Sequence, residues 1–522
     1  MDVEQAFQHT FNSLFGKGDE EIRLDDFKDY LFQYAIKGSK RKSSISGKDV
    51  TLVSSDYCED AKFISQDEVD INRKFEPLSI NEVKDIDSIL EALGDRAYYT
   101  GNKVLGKSDF VEDVDFCVDS FYVRGSLNIQ QSKYVGYSWM VRSNSEYAFG
   151  SAWMGEAKHI IRTIAAYNIT RCFESYYLVD TSDCYFSYNC VGCSNVLFSF
   201  NQRGTRYAIG NLRLPKDKYL GIKSKVMGEV REKLVRDKSF PSLFQFFPRV
   251  GGKPPEIRVE ERKDEQDMGK VEKAFAATSR IVFGKDVGPL SKLEGWLGKH
   301  RSRIEEKRTP FGRHTHTSSL YSFMRDIDDA RFVTGEEAME LGKLSIKLDE
   351  EGIGLRELVE KASKIAYYSP EIITGRCQNV IETPIAVSSV NVYRIDDSTN
   401  GKNSGVSTLV LNSEYIFGSY RAVNSKFCIN CYHSLDLSNC FEMDSCSHSR
   451  NSMFCHNCEN LDNCMFCFNT KTKRYAIGNV EVGRERYMRI KEMIVKLVLE
   501  SLERTGDFRW DIYNIGCPSS KD

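Results

Sequence analysis

Along two long stretches of the chain, small and aliphatic residues recur every third position within a pattern that repeats every six. From Ser145 the hexads read SEYAFG, SAWMGE, AKHIIR, TIAAYN, ITRCFE, SYYLVD, TSDCYF, SYNCVG, CSNVLF, SFNQRG. Position one holds Ser145, Ser151, Ala157, Thr163, Ser175 and Ser187; position four holds Ala148, Met154, Ile160, Cys172, Leu178 and Cys190. The rule extends upstream through Ser120, Ser126, Ser132 and Ser138, with one extra residue near Asn144. It returns between Cys377 and Thr470, with Ser407, Ser413, Ser419 and Ser425 at position one and Val410, Ile416, Cys428 and Cys440 at position four. Position three is often asparagine, as at Asn189, Asn195, Asn201, Asn439, Asn451, Asn457, Asn463 and Asn469.

On an α-helix six residues turn about 600°, which would smear position one over three faces. A flat strand alternates with period two, and a spacing of three breaks that alternation unless the chain turns a corner. The pattern therefore predicts a β-solenoid. Short strands aim small residues inward, corners separate them, and equivalent positions stack as ladders about 4.8 Å apart. Asparagine at position three reads as an amide ladder or a turn residue. Two or three hexads per coil fit the pattern, and the handedness stays open.

The two stretches are copies of one another. SEYAFG at Ser145–Gly150 recurs as SEYIFG at Ser413–Gly418, and RYAIGN at Arg206–Asn211 recurs unchanged at Arg474–Asn479. Both offsets are 268 residues, and positions 145–211 share 24 of 67 residues with 413–479. After each RYAIGN the period changes to that of an amphipathic helix. Tyr219, Ile222, Val226, Val230 and Leu234 mark the first helix; Tyr487, Ile490, Ile494, Val498 and Leu502 mark the second. The expected fold is mainly β with helical additions: two tandem hexad-repeat solenoids, each closed by an amphipathic helix, with a mixed or mostly helical insert. The boundaries are an N-terminal mixed region at 1–101, the first solenoid with its helix at 102–236, linker and insert at 237–376, and the second solenoid with its helix at 377–522. Outside the repeats, Asp19–Tyr34 reads as helix, the basic and Ser-rich Lys37–Lys48 as a loop, and Gly251–Met268 as a charged linker. Gly335–Ile365 carries two helical patterns broken near Gly352–Gly354.

Composition narrows the class. In 522 residues, 72 Lys and Arg stand against 75 Asp and Glu, a net charge of -3 that gives no nucleic-acid or membrane-surface footprint. With 41% hydrophobic residues the chain is not disordered, and no run of about 18 apolar residues suggests a membrane helix. The opening MDVEQAFQHTFNSLFGKGDEE has no apolar signal-peptide core, so a cytoplasmic, reducing location is expected. The 16 cysteines are then expected as thiols or metal ligands rather than disulfides.

Four C-x-x-C pairs carry the main metal signal, beside the weaker His314/His316 pair: Cys190/Cys193, Cys428/Cys431, Cys455/Cys458 and Cys464/Cys467. Zinc takes four tetrahedral thiolates, and Cys455, Cys458, Cys464 and Cys467 form the densest candidate set, with His448 and His456 nearby. Yet each of these cysteines occupies position one or four, where other hexads hold Ser, Ala, Val or Ile. Buried thiols behave as small hydrophobes, so interior packing is favoured. No cofactor is expected, and zinc is the candidate metal. His314 and His316 (GRHTHT) read as a solvated loop. The recurring Glu146, Glu414, Arg206 and Arg474 read as inherited structure. Trp139, Trp153, Tyr137, Tyr147, Tyr176 and Tyr177 form either an aromatic outer face for a partner or glycan, or a surface covered by the insert. The chain has no G-x-x-x-x-G-K-[ST], G-x-S-x-G or H-E-x-x-H motif.

The segment Asn457–Tyr487 (NCENLDNCMFCFNTKTKRYAIGNVEVGRERY) resembles a family of uncharacterised prokaryotic proteins. These carry Cys-rich C-x-N-C hexads that end in a Tyr-x-Ile-x-Asn motif and a helix. The resemblance covers both arrays and implies architecture only, because the family brings no assigned activity. Its frequent N-terminal CxxC zinc-ribbon segment is missing here, where Cys58 is the one cysteine before the first array. The expected function is a non-enzymatic structural or interaction scaffold that meets a protein partner or copies of itself, with assembly into a larger shell as one form. The alternatives are a zinc-stabilised binding module and a carbohydrate-active solenoid enzyme. The last would need clustered carboxylates, for which Asp180/Asp183 and Asp436/Asp444 are the hints.

Overall fold

In the computed structural model, residues 1–76, 86–94, 96–247, 253–259, 266–348 and 353–517 are described. The protein is mainly β with helices, 37% strand and 24% helix, and its two large sheets are built of parallel strands. The register within them is twelve residues for most pairs, with thirteen at the start of each sheet, as at Ile372 and Ile385. Asp109 pairs with Phe121, Asp115 with Leu127, Tyr176 with Tyr188 and Ser194 with Arg206. In the second array Gln378 pairs with Val390, Glu414 with Lys426 and Glu459 with Lys471. Each of these partners lies two hexads along the chain. Offsets of thirteen occur within 102–211 at its start, where Val104 pairs with Cys117, and at the extra residue near Asn144, where Lys133 pairs with Glu146 and Ser143 and Asn144 both take φ above +50°.

The corners are set by φ. In the first array a left-handed residue recurs at every third position, for example Trp153, Glu156, His159, Arg162, Ala165 and Asn168. Bulky residues resist this region, and asparagine tolerates it best among non-glycine residues. All eight asparagines expected at position three have φ between 51° and 59°. Several also bond along the array, Asn189 to Asn201 at 2.9 Å and Asn457 to Asn469 at 2.9 Å.

Serine at position one has an equally direct cause. Ser187 Oγ donates to the Tyr185 carbonyl at 2.8 Å and accepts the Ser199 amide at 3.0 Å. Ser413 repeats this with Leu411 and Ser425, at 2.8 and 2.9 Å. One hydroxyl thus satisfies two buried backbone groups on neighbouring rungs. Residues at positions one and four pack only with one another. Cys428, Cys431, Cys440, Cys446, Val410 and Ile416 belong to one such cluster, and Ile160, Cys172, Leu178 and Cys184 to another.

Each ladder ends alike. Ala208 pairs antiparallel with Arg213, and Ala476 with Glu481. The Asn of RYAIGN stands in for the next strand. Asn211 Oδ1 accepts the Phe200 amide at 2.8 Å while its Nδ2 donates to the Phe200 carbonyl at 3.1 Å. Asn479 does the same to Phe468, at 2.9 and 2.8 Å. Helices Lys216–Asp237 and Arg484–Thr505 follow, and all ten positions assigned to their apolar stripes are buried.

Three expectations outside the arrays need correction. The main N-terminal helix is Val3–Phe15, closed by an Asp2/Gln5 capping box, whereas within Asp19–Tyr34 only Leu24–Phe27 and Lys28–Leu31 form short helical turns. The apolar stripe Val3, Phe7, Phe11 and Leu14 that drives the helix precedes that window. Lys37–Lys48 is not all loop, since Ser39–Lys42 pairs antiparallel with Asp49–Leu52. His314 and His316 lie on a strand of the hairpin Ile304–Arg308/His314–Ser318, which makes the insert mixed rather than mostly helical. The break between the helical patterns falls partly on 349–352, outside the described residues; on either side stand helices Gly335–Leu341 and Leu355–Ala362.

Candidate functional site

Charges in the arrays pair across two hexads. Arg171 meets Asp183 at 2.7 Å, Lys158 meets Glu146 at 3.4 Å, Lys426 meets Glu414 at 2.5 Å and Lys471 meets Glu459 at 2.6 Å. These pairs are exposed or partly so. Among the described residues three further acid–base pairs are buried, and each sits where another part of the chain covers an array.

The first covers the flank of array one. Arg162 Nε contacts Glu174 at 2.6 Å with both side chains at most 2% exposed. Tyr30 and Tyr176 donate to the same carboxylate at 2.8 and 2.9 Å, and Arg162 donates to the Tyr30 carbonyl. Burial pushes the Glu174 carboxyl upward against the pull of Arg162. The pair fastens the N-terminal segment to the array. It also settles the aromatic surface: Trp139, Trp153, Tyr137, Tyr176 and Tyr177 are buried, packed against that segment and insert residues Tyr321 and Phe323. A different row, Phe110, Tyr122, Tyr134, Tyr147 and His159, stacks along the array with centroids 4.5–5.1 Å apart.

The other two adjoin each other, one on array two and one at the start of array one. His456 Nδ1 lies 2.8 Å from Asp444, both essentially unexposed. Its Nε2 accepts the Thr100 amide at 2.8 Å, which fixes the proton on Nδ1. Burial lowers the His456 pKa, so the ring is neutral. An Asp–His pair invites comparison with a catalytic base, but here both nitrogens are occupied and the ring is closed to solvent. Beside it Lys103 meets Asp115 at 3.1 Å and donates to the Thr100 carbonyl at 2.8 Å.

Next to this core, His300 of the insert lies between two carboxylates, Asp56 at 3.2 Å and Asp511 at 3.0 Å. Burial opposes its charge, but the two carboxylates raise its pKa to about 10. Glu442 accepts Asn430 Nδ2 at 2.8 Å and the Ile512 amide at 2.9 Å. Burial and the charge of Asp511 raise its pKa to about 8. His300 and Asp56 border a cleft of about 290 Å³ that Arg301, Ser302, Ser319 and Tyr420 also line. Ser302 Oγ donates to Asp396 at 2.7 Å, and both ring nitrogens of His300 are engaged. The cleft thus presents a polar wall whose hydroxyl and imidazole are already bonded.

The cysteines named from sequence lie inside array two. Cys455, Cys458, Cys464 and Cys467 are at most 3% exposed and pack in one interior cluster. Their sulfurs donate to backbone carbonyls: Cys455 to Met453 at 3.3 Å, Cys458 to His456 at 3.2 Å, Cys464 to Lys473 at 3.3 Å and Cys467 to Met465 at 3.5 Å. Burial raises the Cys455 thiol to about 11. His448 is exposed, 3.4 Å from Asp436, and His456 is spent on Asp444. Among the described residues, one group of three or more His, Cys, Asp or Glu ligand atoms lies mutually within 4.8 Å, and it is Cys58, Asp60 and Cys517. Cys58 and Cys517 are disulfide-bonded, with Cα atoms 6.5 Å apart and 459 residues between them. This corrects the expectation that every cysteine is a thiol or ligand; a lone cysteine at each end of the chain gave no spacing signal.

Sequence reasoning missed Lys103, Asp115, His300, Glu442 and Asp511. A search for acid–base pairs twelve residues apart finds Lys103/Asp115, Arg162/Glu174 and Asp444/His456. His300 and Asp511 stand outside any period. No protein-family model, curated protein or solved structure matches the chain.

Proposed function

We propose that this protein is a non-enzymatic cytoplasmic scaffold made of two β-solenoids with two hexads per coil, a corner at every third residue and an amphipathic helix closing each. Its role is to present laddered outer faces to a protein partner or to further copies of itself, including in a larger shell. The observation that carries this reading is where the polar groups go. Interior serines and thiols bond the array's own backbone, as at Ser187 and Cys455, and array charges bond the next coil, as at Arg171 and Asp183.

The enzyme reading has the weaker support. Asp180 accepts Asn168 at 2.6 Å, and Asp183, Asp436 and Asp444 pair with Arg171, His448 and His456. The four carboxylates proposed for glycan cleavage are each held by a separate partner. The zinc reading rests on the density of Cys455, Cys458, Cys464 and Cys467 within one interior cluster.

Light scattering on the untagged protein at micromolar concentration tests the scaffold. Defined oligomers, or a partner retained in stoichiometric amount, support it. A strict monomer sinks the self-assembling form, and cleavage in a polysaccharide panel sinks the non-enzymatic one.

A further inference from the structure

Fourteen of the cysteines are free and lie between Cys117 and Cys467; the remaining two are Cys58 and Cys517. Their bond ties the N-terminal region to the segment that follows the last helix. That segment, 507–517, works as a strap. Lys299 Nζ donates to the Phe508 carbonyl at 2.9 Å, Asp511 meets His300, and the Ile512 amide donates to Glu442. Tyr99 Oη donates to the Ile512 carbonyl at 2.8 Å and accepts the Gly516 amide at 3.1 Å. The strap also shields a ring cluster, with Tyr513 centred 5.1 Å from Tyr57 and 5.0 Å from Tyr432. Apart from turns it has no secondary structure of its own, so these contacts and the disulfide hold it in place.

We propose that Cys58–Cys517 is a thiol-responsive latch whose reduction releases the C-terminal strap from array two and opens the His300–Glu442 wall beneath it. In a reducing compartment a surviving disulfide is characteristically transient or sensing. Cys58 is the more exposed end, since Cys517 is 5% exposed. A thiolate from a small thiol attacks Cys58 Sγ, the S–S bond breaks, and Cys517 leaves as a thiolate that takes a proton from water. A second thiol resolves the mixed disulfide, leaving Cys58 as a thiol. Two electrons pass from two thiols to the protein disulfide, and the thiols depart as their own disulfide.

The latch can cycle without scrambling the array cysteines. Exchange needs a thiolate and access, and thirteen of the fourteen array thiols are buried; burial raises Cys117 and Cys455 to about 11 and Cys172 to about 12. The proposal stands whether or not the arrays assemble with other copies.

The test uses the full chain purified without reductant. Native treatment with dithiothreitol, then alkylation and peptide mapping, is expected to label Cys58 and Cys517 newly and leave the buried array cysteines unlabelled. Intact mass, without alkylation, should rise by two hydrogens. Tryptic cleavage after Arg509 should accelerate several-fold on reduction. Cys58→Ser should cleave at the reduced rate with no response to reductant; the wild-type comparison keeps the test decisive should that variant misfold. An unchanged mass overturns the proposal, as does a bound zinc ion released by chelator in place of the hydrogen gain. Equal cleavage before and after reduction overturns the gating.

Discussion

The two arrays share a backbone rule and differ in what fills and covers it. The first carries five of the free cysteines, from Cys117 to Cys193, and the second carries nine, from Cys377 to Cys467. Where the first places Ser187, a donor and acceptor for two rungs, the second places Cys455, which donates to one carbonyl. The covers differ as well. Array one is fastened by Arg162–Glu174 and a wall of aromatic rings. Array two is fastened by Asp444–His456, by Glu442 and by a strap that meets His300. The backbone repeat therefore tolerates exchange among small inward residues, while the buried carboxylate that both copies keep, Glu174 and Glu442, meets a different partner in each: Arg162 and Tyr30 in the first, Asn430 and the Ile512 amide in the second.

The sharpest break in that comparison is the Arg162–Glu174 pair. Removing one partner strands a buried charge, so Arg162→Met should cost about 3–5 kcal/mol in denaturant unfolding, and Arg162→Met with Glu174→Leu together should recover much of it. A loss under about 1 kcal/mol would mean the N-terminal segment is held by ring packing alone.

The pH response should single out array two. His300 is raised from 6.5 to about 10, so its contribution is whole below pH 6.5 and is lost as pH rises through about 10. Glu442 is raised from 4.5 to about 8, so the folded state holds a proton the unfolded chain has lost, and stability falls across that window too. His433 is buried and lowered from 6.5 to about 4, so stability rises with pH between those values. Between pH 4.5 and 6.5 the His433 and Glu442 contributions oppose one another, and above pH 6.5 those of Glu442 and His300 are both lost, so the melting temperature should fall from about pH 6.5 toward pH 10. Hydrogen exchange at alkaline pH should show the strap opening before the flank of array one. Equal loosening of both flanks would sink this assignment.

Next in size are the interior rungs. Ser187→Ala leaves a buried amide and carbonyl without their shared hydroxyl and should cost about 1–3 kcal/mol. Cys455→Ser places a hydroxyl in an equivalent slot and should change stability by less than about 1 kcal/mol. The smallest effect belongs to the exposed ladders: Lys471→Ala, which frees Glu459, should cost at most about 1 kcal/mol and less in high salt.

Period and duplication made the array positions legible. The inward serines and cysteines, the position-three asparagines and both helical stripes follow from spacing alone. The number of hexads between paired rungs did not, because a period of six is compatible with any whole number of hexads. The covers were harder to read. Val3–Phe15 is an ordinary amphipathic helix, visible in principle from Val3, Phe7, Phe11 and Leu14. His300 and Asp511 are isolated polar residues in irregular segments, and only tertiary contact joins them. Of the candidate site, Cys455, Cys458, Cys464 and Cys467 were conspicuous because a hexad imposes C-x-x-C on any inward pair.

The claim that the array thiols are wall groups bonded to their own backbone is tested most directly by metal content together with thiol counting. The measurement uses untagged protein purified under reducing conditions without added metal. The account predicts no tightly held zinc and, apart from the half-exposed Cys377, array thiols that react only after unfolding. One or more zinc ions per chain, lost on changing Cys455 and Cys458 to serine, would contradict it.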